Sequence, residues 1–147
     1  RTQATTNGQA VEGVLMKFMM DTNICIHLIK HRPQNLLNRF ERTPVDHAGI
    51  SSVTLAELEY GAAKSSRRQT NREALRQFTS PLTIVAFDQP ASAAYGRIRA
   101  FLENKGQTIG SLDMLIAAHA LSLNVILITN NQAEFKRVPG LKTQNWL

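Results

Sequence analysis

Lys17-Phe18-Met19-Met20-Asp21-Thr22-Asn23 is the stretch on which the reading of this chain turns. A short apolar run breaks into polar residues, and a second apolar stretch, Ile24 to Lys30, follows at once. The first run reads as a buried strand and the second as a helix, which puts Asp21 and its neighbours at a strand's carboxyl end.

The alternation continues outward. Ala48 to Ser52 reads as a second strand, whose terminal serine can cap a helix from Val53 to Lys64. Ser65 to Arg67 break the pattern before a helix from Gln69 to Phe78. Thr83 to Phe87 is a third strand, and Pro90 opens a helix through Asn104, with Gly106 past its end. Gly110-Ser111 precede an alanine-rich helix, Leu112 to Leu123, and Val125 to Thr129 is the cleanest strand of the chain. A short helix, Gln132 to Lys136, and Pro139-Gly140 lead to a last strand near Lys142 to Trp146. Pro33 opens one further helix, Gln34 to Arg42, which Pro44 stops.

Apolar strands alternating with helices predict an α/β fold: a mainly parallel sheet of about five strands between two helical layers. Right-handed crossovers place the helices on both faces. Reactive groups in such folds collect beyond the carboxyl ends of the strands. Each polar residue can therefore be tested by whether it follows a strand or opens the next helix.

The 147 residues are a one-domain length. Residues 1–14 are polar and without periodicity, and read as a tail, either a tag or upstream translated sequence; 15–147 read as the folded unit. The one cysteine, Cys25, excludes an intrachain disulfide and fits a reducing compartment. Between Ile24 and Ile26 it reads as a buried thiol rather than a nucleophile. No apolar stretch is long enough to span a bilayer, and the start lacks the apolar middle of a secretory signal, so a cytoplasmic protein is expected. A net charge of +6 and a pI near 10 favour an anionic partner such as nucleic acid, or an acidic protein.

Of four aspartates and seven glutamates, a few pass the strand-end test. Asp21 follows the first strand, where it would also serve as a helix N-cap. Glu57 and Glu59 both lie early in the next helix among apolar neighbours, and periodicity does not choose between them. Asp113 sits in the first turn of the alanine-rich helix, a favourable place for an anion. Glu134 comes shortly after the cleanest strand. Strand-end geometry would bring these distant acids together, and clustered carboxylates repel one another. A divalent cation removes that conflict, and an oxygen-only donor set points to Mg2+ or Mn2+. Zinc fits poorly: His27 and His31 could share a helix face but lack a third ligand, and His119 reads as a packing or surface residue. Lys64, Arg67, Arg68, Arg72 and Arg76 form the best basic patch for a phosphate backbone, and Arg97 and Arg99 are further candidates. No Ser-His-Asp or Cys-His constellation, Walker loop or dinucleotide fingerprint competes. An aspartyl phosphatase would need a second acid at position 23, which is Asn23.

With these residues in view, the chain resembles PIN-domain endoribonucleases of the VapC toxin type. The carriers are Met20-Asp21-Thr22-Asn23, Ile50 to Leu58 with Tyr60-Gly61, Gly110 to Ala117, and Ile128-Thr129-Asn130-Asn131 with Glu134-Phe135 and Val138 to Leu141, in that order over residues 16–147. The resemblance implies that the second acid is Glu57 rather than Glu59, and that Asp21, Glu57 and Asp113 hold one or two metal ions. Many relatives carry a fourth aspartate where this chain has Asn131; Glu134 takes its place by the same resemblance. Asn23, Thr129 and Asn131 become supporting groups. Also implied are hydrolysis of RNA, with initiator tRNA as the substrate, inhibition by a small VapB-like antitoxin, and a homodimer. Two further readings stay open: an RNA-processing or flap-type nuclease on the same fold, and a non-catalytic module that binds RNA or antitoxin, which the missing acid at Asn131 favours.

Overall fold

The structure is a computed structural model that describes residues 16–147. The expected tail, residues 1–14, lies outside them.

The opening run forms β1 (Phe18–Met20), with Met19 and Met20 both fully buried, as a strand covered on two faces requires. It pairs in parallel with β2 (Ala48–Ser51) on one side and β4 (Ile126–Ile128) on the other. β3 (Thr83–Val85) lies outside β2, and β5 (Thr143–Gln144) outside β4. The sheet order is thus β3-β2-β1-β4-β5, and every pairing is parallel. β2 runs so close to β3 that a Cβ on Gly49 would stand 2.6 Å from the Thr83 carbonyl oxygen, so position 49 has room only for glycine.

Successive strand residues face opposite ways, and the core divides accordingly. Met19 and Leu127 join α5 (Gln89–Asn104), α6 (Ser111–Leu123) and Phe135 of α7 (Gln132–Phe135) on one face. Met20, Ile50 and Ile128 join α1 (Thr22–Ile26), α2 (Gln34–Arg42), α3 (Ser52–Lys64) and α4 (Arg68–Thr79) on the other. Cys25 is fully buried in this second cluster, as its apolar flanks suggested.

Three elements differ from the sequence reading. The helix expected over Ile24–Lys30 is α-helical only through Ile26; His27–His31 form a π-helical turn, closed by Arg32 at φ 51°. The Arg32 N–H donates to the His27 carbonyl at 2.6 Å, a five-residue step that apolar periodicity does not register. β3 ends at Val85 because the Phe87 N–H turns to the Ser52 hydroxyl, 3.0 Å away, instead of a neighbouring strand. The last strand contracts to two residues. Among the described residues, no helix is long and apolar enough to cross a membrane.

Candidate functional site: a carboxylate cluster at the strand ends

Because the strands are parallel, their carboxyl ends share one edge, and the expected acids stand along it. Asp21 directly follows β1, and its N–H extends the ladder to the Ile128 carbonyl at 3.0 Å. Its side chain is buried, and Oδ1 accepts the Ile24 N–H at 2.9 Å, so one carboxylate both caps α1 and points into the strand-end crevice. Burial raises the Asp21 pKa, and the Glu57 charge adds to the effect. The Thr129 hydroxyl, the Ile24 N–H and the His27 charge oppose it. Thr129 is fully buried and also accepts the Asn131 N–H at 2.9 Å, which leaves its own hydrogen for Asp21.

Glu57 lies on α3, half-buried, and accepts a short hydrogen bond from the Thr22 hydroxyl. Thr22 also lies 3.4 Å from the buried Thr54 hydroxyl. Glu59 is exposed, so the two glutamates that periodicity could not separate have different surroundings. Asn23 is exposed on α1; the hydroxyl that reaches the acids from this segment belongs to Thr22, which the sequence reading did not single out.

Asp113, in the first turn of α6, has its pKa raised to about 6. Burial is the main cause, followed by a hydrogen bond to Glu134 and then the charges of Glu134, Asp21 and Glu57. Asp113 therefore keeps its proton to about pH 6, in a place where burial and neighbouring carboxylates disfavour its charged form. Asn131 donates from Nδ2 to Glu134 at 3.0 Å. All of the sequence-derived acids, Asp21, Glu57, Asp113 and Glu134, therefore act on one another electrostatically.

The donor set is all oxygen, its members repel, and the repulsion falls on a half-buried aspartate; such a set fits a hard dication, which neutralises the charge. As they stand, no three His, Cys, Asp or Glu side chains among the described residues close on one point as metal ligands. The carboxylates are instead turned to Ile24, Thr22 and Asn131.

The family model for the PIN domain matches residues 18–141. Ribonuclease VapC2 of Rickettsia felis is 43% identical over 132 residues, covering 89% of this chain and 98% of its own length. The tRNA(fMet)-specific endonuclease VapC of Shigella flexneri is 43% identical, covering 90% of this chain and 99% of its own. This chain belongs to the VapC family of PIN-domain proteins. Its fold agrees with the crystal structure of DNA-bound VapBC from Salmonella typhimurium, with a TM-score of 0.87 at 41% identity, covering 90% of this chain and 99% of that one.

This PIN domain presents two further surfaces. Lys64, Arg67, Arg68, Arg72 and Arg76 are exposed on α3, α4 and the turn between them. Arg68, Arg72 and Arg76 follow one helix face, although Arg76 is engaged by Glu73. Lys64 lies over the Tyr60 ring, 5.1 Å from its centroid. Glu57 also borders a mostly apolar groove between the α1/π-helical segment, α3 and α4, lined by Ile26, Ile29, Leu58, Ala62 and Leu75 together with Lys30 and Asn71. A second feature that sequence reasoning left open is His119. It is fully buried on α6, with Nδ1 2.8 Å from the Ser51 hydroxyl oxygen and its ring edge-on to Phe87.

Proposed function

We propose that this PIN domain is a metal-dependent endoribonuclease in which Asp21, Glu57 and Asp113, assisted by Glu134, hold one or two Mg2+ or Mn2+ ions. The supporting observation is the strand-end cluster in which burial and neighbouring charges raise Asp113 to about pH 6. When bound, such an ion supplies Lewis acidity towards phosphate oxygens and acidifies a water molecule.

The chain's own residues have separate tasks in this scheme. Asp21 is held at a fixed orientation by the Ile24 N–H. Thr22 aims Glu57, and Thr129 and Asn131 orient Asp21 and Glu134. Asp113 can hold or release a proton near pH 6. The basic patch grips the sugar–phosphate backbone without reading sequence. A non-catalytic module was favoured by Asn131; Glu134 in contact with Asp113 supplies the acid that Asn131 lacks.

For the substrate we propose tRNA, with initiator tRNA first, because relatives from Shigella flexneri and Salmonella typhimurium are named tRNA(fMet)-specific endonucleases. For the partner we propose a VapB-like antitoxin, because similar chains from Rickettsia felis and Salmonella typhimurium are solved as VapBC complexes. The apolar groove beside Glu57 suits a segment of such a partner. A homodimer is the expected assembly.

The test is cleavage of purified initiator tRNA beside elongator tRNAs and a structured non-tRNA control, with Mg2+, Mn2+ or EDTA. Cutting should require metal and disappear in Asp21→Asn, whose amide preserves the helix cap. Cutting that persists in EDTA and in Asp21→Asn would refute the site.

A further inference from the structure

Ser51 and His119 are both fully buried, and their hydrogen bond joins the end of β2, where α3 begins, to α6. Ser51 ends β2 and caps α3, accepting the Val53 N–H at 3.0 Å. Glu57 follows six residues later on that helix. His119 lies on α6, six residues after Asp113. The bond therefore ties the start of the helix carrying one acid to the helix carrying another, beside the packing of Val53 of α3 against the cluster that α6 helps to form.

Counting hydrogens decides the direction of the bond. If Nδ1 donated, Ser51 would receive two donors, leaving its own hydrogen and the Nε2 lone pair both without partners. If Ser51 donates to Nδ1, only the Nε2 N–H is left over, and Nε2 is the buried side-chain atom without a partner among the described residues. In that arrangement Nδ1 is the acceptor that holds the Ser51 hydroxyl.

We propose that His119 is a positioning residue: by accepting the Ser51 hydroxyl it sets the spacing of Glu57 and Asp113, and hence how well the acids grip a dication. This rests on the metal-site reading above. It requires His119 to be neutral, and burial lowers its pKa in that direction, with the Asp88 charge opposing.

The experiment compares wild type, His119→Leu, His119→Asn, Ser51→Ala and the Ser51→Ala/His119→Leu double variant. Mn2+ affinity is read by electron paramagnetic resonance and thermal stability in EDTA. His119→Leu should weaken Mn2+ about tenfold, the lower end of what outer-shell partners contribute. His119→Asn, whose Oδ1 can take the place of Nδ1, should recover affinity to within about threefold. The double variant should lose no more affinity than either single one, because the pair acts as a unit. A purely structural role would lower the melting temperature and leave Mn2+ affinity alone. Affinity within twofold of wild type in folded His119→Leu or Ser51→Ala overturns the inference, as does His119→Asn no better than His119→Leu. If His119→Leu does not fold, Ser51→Ala decides by the same threshold. Wild type that binds no Mn2+ overturns the metal-site reading and this inference with it; wild type that binds while the variants match it overturns the inference alone.

Discussion

Replacing Asp113 by Asn should stabilise the metal-free protein at neutral pH while abolishing cleavage. The Asp113 pKa stands at about 6 in the folded chain against an ordinary 3.8. A folded pKa raised above the unfolded one means that the folded state holds the proton longer. The stabilising contribution is complete below about pH 4 and is lost as pH rises through 6. The gap caps the cost of ionisation at roughly 3 kcal/mol. Solvent screening of this half-buried group brings it to about 1–2 kcal/mol. For a domain of this size that corresponds to about 3–6 °C in melting temperature. Scanning calorimetry in EDTA should therefore show Asp113→Asn melting higher than wild type at pH 8 and no higher at pH 4. Adding Mn2+ should reverse the order at pH 8, because a ligand stabilises only the protein that binds it. A variant equally stable at pH 8 in EDTA, or stabilised by the same amount at pH 4, would show that Asp113 is not strained by its neighbours.

Glu57→Gln should reduce cleavage at least about a hundredfold, in keeping with several kcal/mol of metal-assisted charge stabilisation. Glu59→Gln, on the exposed face, should stay within about twofold; equal losses in single-turnover assays would reassign the second acid. Arg68→Ala/Arg72→Ala should flatten the dependence of log K on log salt for RNA by about 1.5–2, measured by fluorescence anisotropy between low and moderate salt. An unchanged slope would place the RNA elsewhere. Gly49→Ala should cost about 1–3 kcal/mol, because the new methyl group meets the Thr83 carbonyl and the strands must part. An unchanged urea midpoint would mean that β2 and β3 part at little cost.

Much of this architecture could be read in advance because its signals are local. Met20 against Asp21, and Ile128 against Thr129, are abrupt apolar-to-polar steps, and such a step marks a strand end without knowledge of its neighbours. Parallel pairing then aligns those ends, so Asp21, Asp113 and Glu134 were already candidates before any partner was known. What stayed hidden depends on contacts between distant segments. The resemblance pointed to Asn23 and not to Thr22, and only the approach of α3 makes the Thr22 hydroxyl the one that meets Glu57. His119 left a faint sign: α6 buries Met114, Ile116, Ala117, Ala118 and Ala120, so a polar residue on that helix had to find a partner in the core. Which partner it found, Ser51, is set by the crossing of two helical layers and has no counterpart in spacing along the chain. The π-helical turn at His27–His31 escaped for a different reason, since one extra residue in a turn leaves the apolar pattern nearly unchanged.

The central strand takes its two neighbours from distant parts of the chain: residues 48–49 on one side and 126–128 on the other. On a translating ribosome Asp21 and Glu57 emerge early, while Asp113 and Glu134 are still unmade. At about 5–20 residues per second, the stretch from Glu57 to Glu134 takes roughly 4–15 s to synthesise. Until residues 126–128 are made β1 lacks its β4 neighbour, and until Glu134 is made the set of acids is incomplete. A chain stopped before residue 113 therefore lacks Asp113, Glu134 and half of the pairing of β1, and the carboxylate cluster cannot assemble in it.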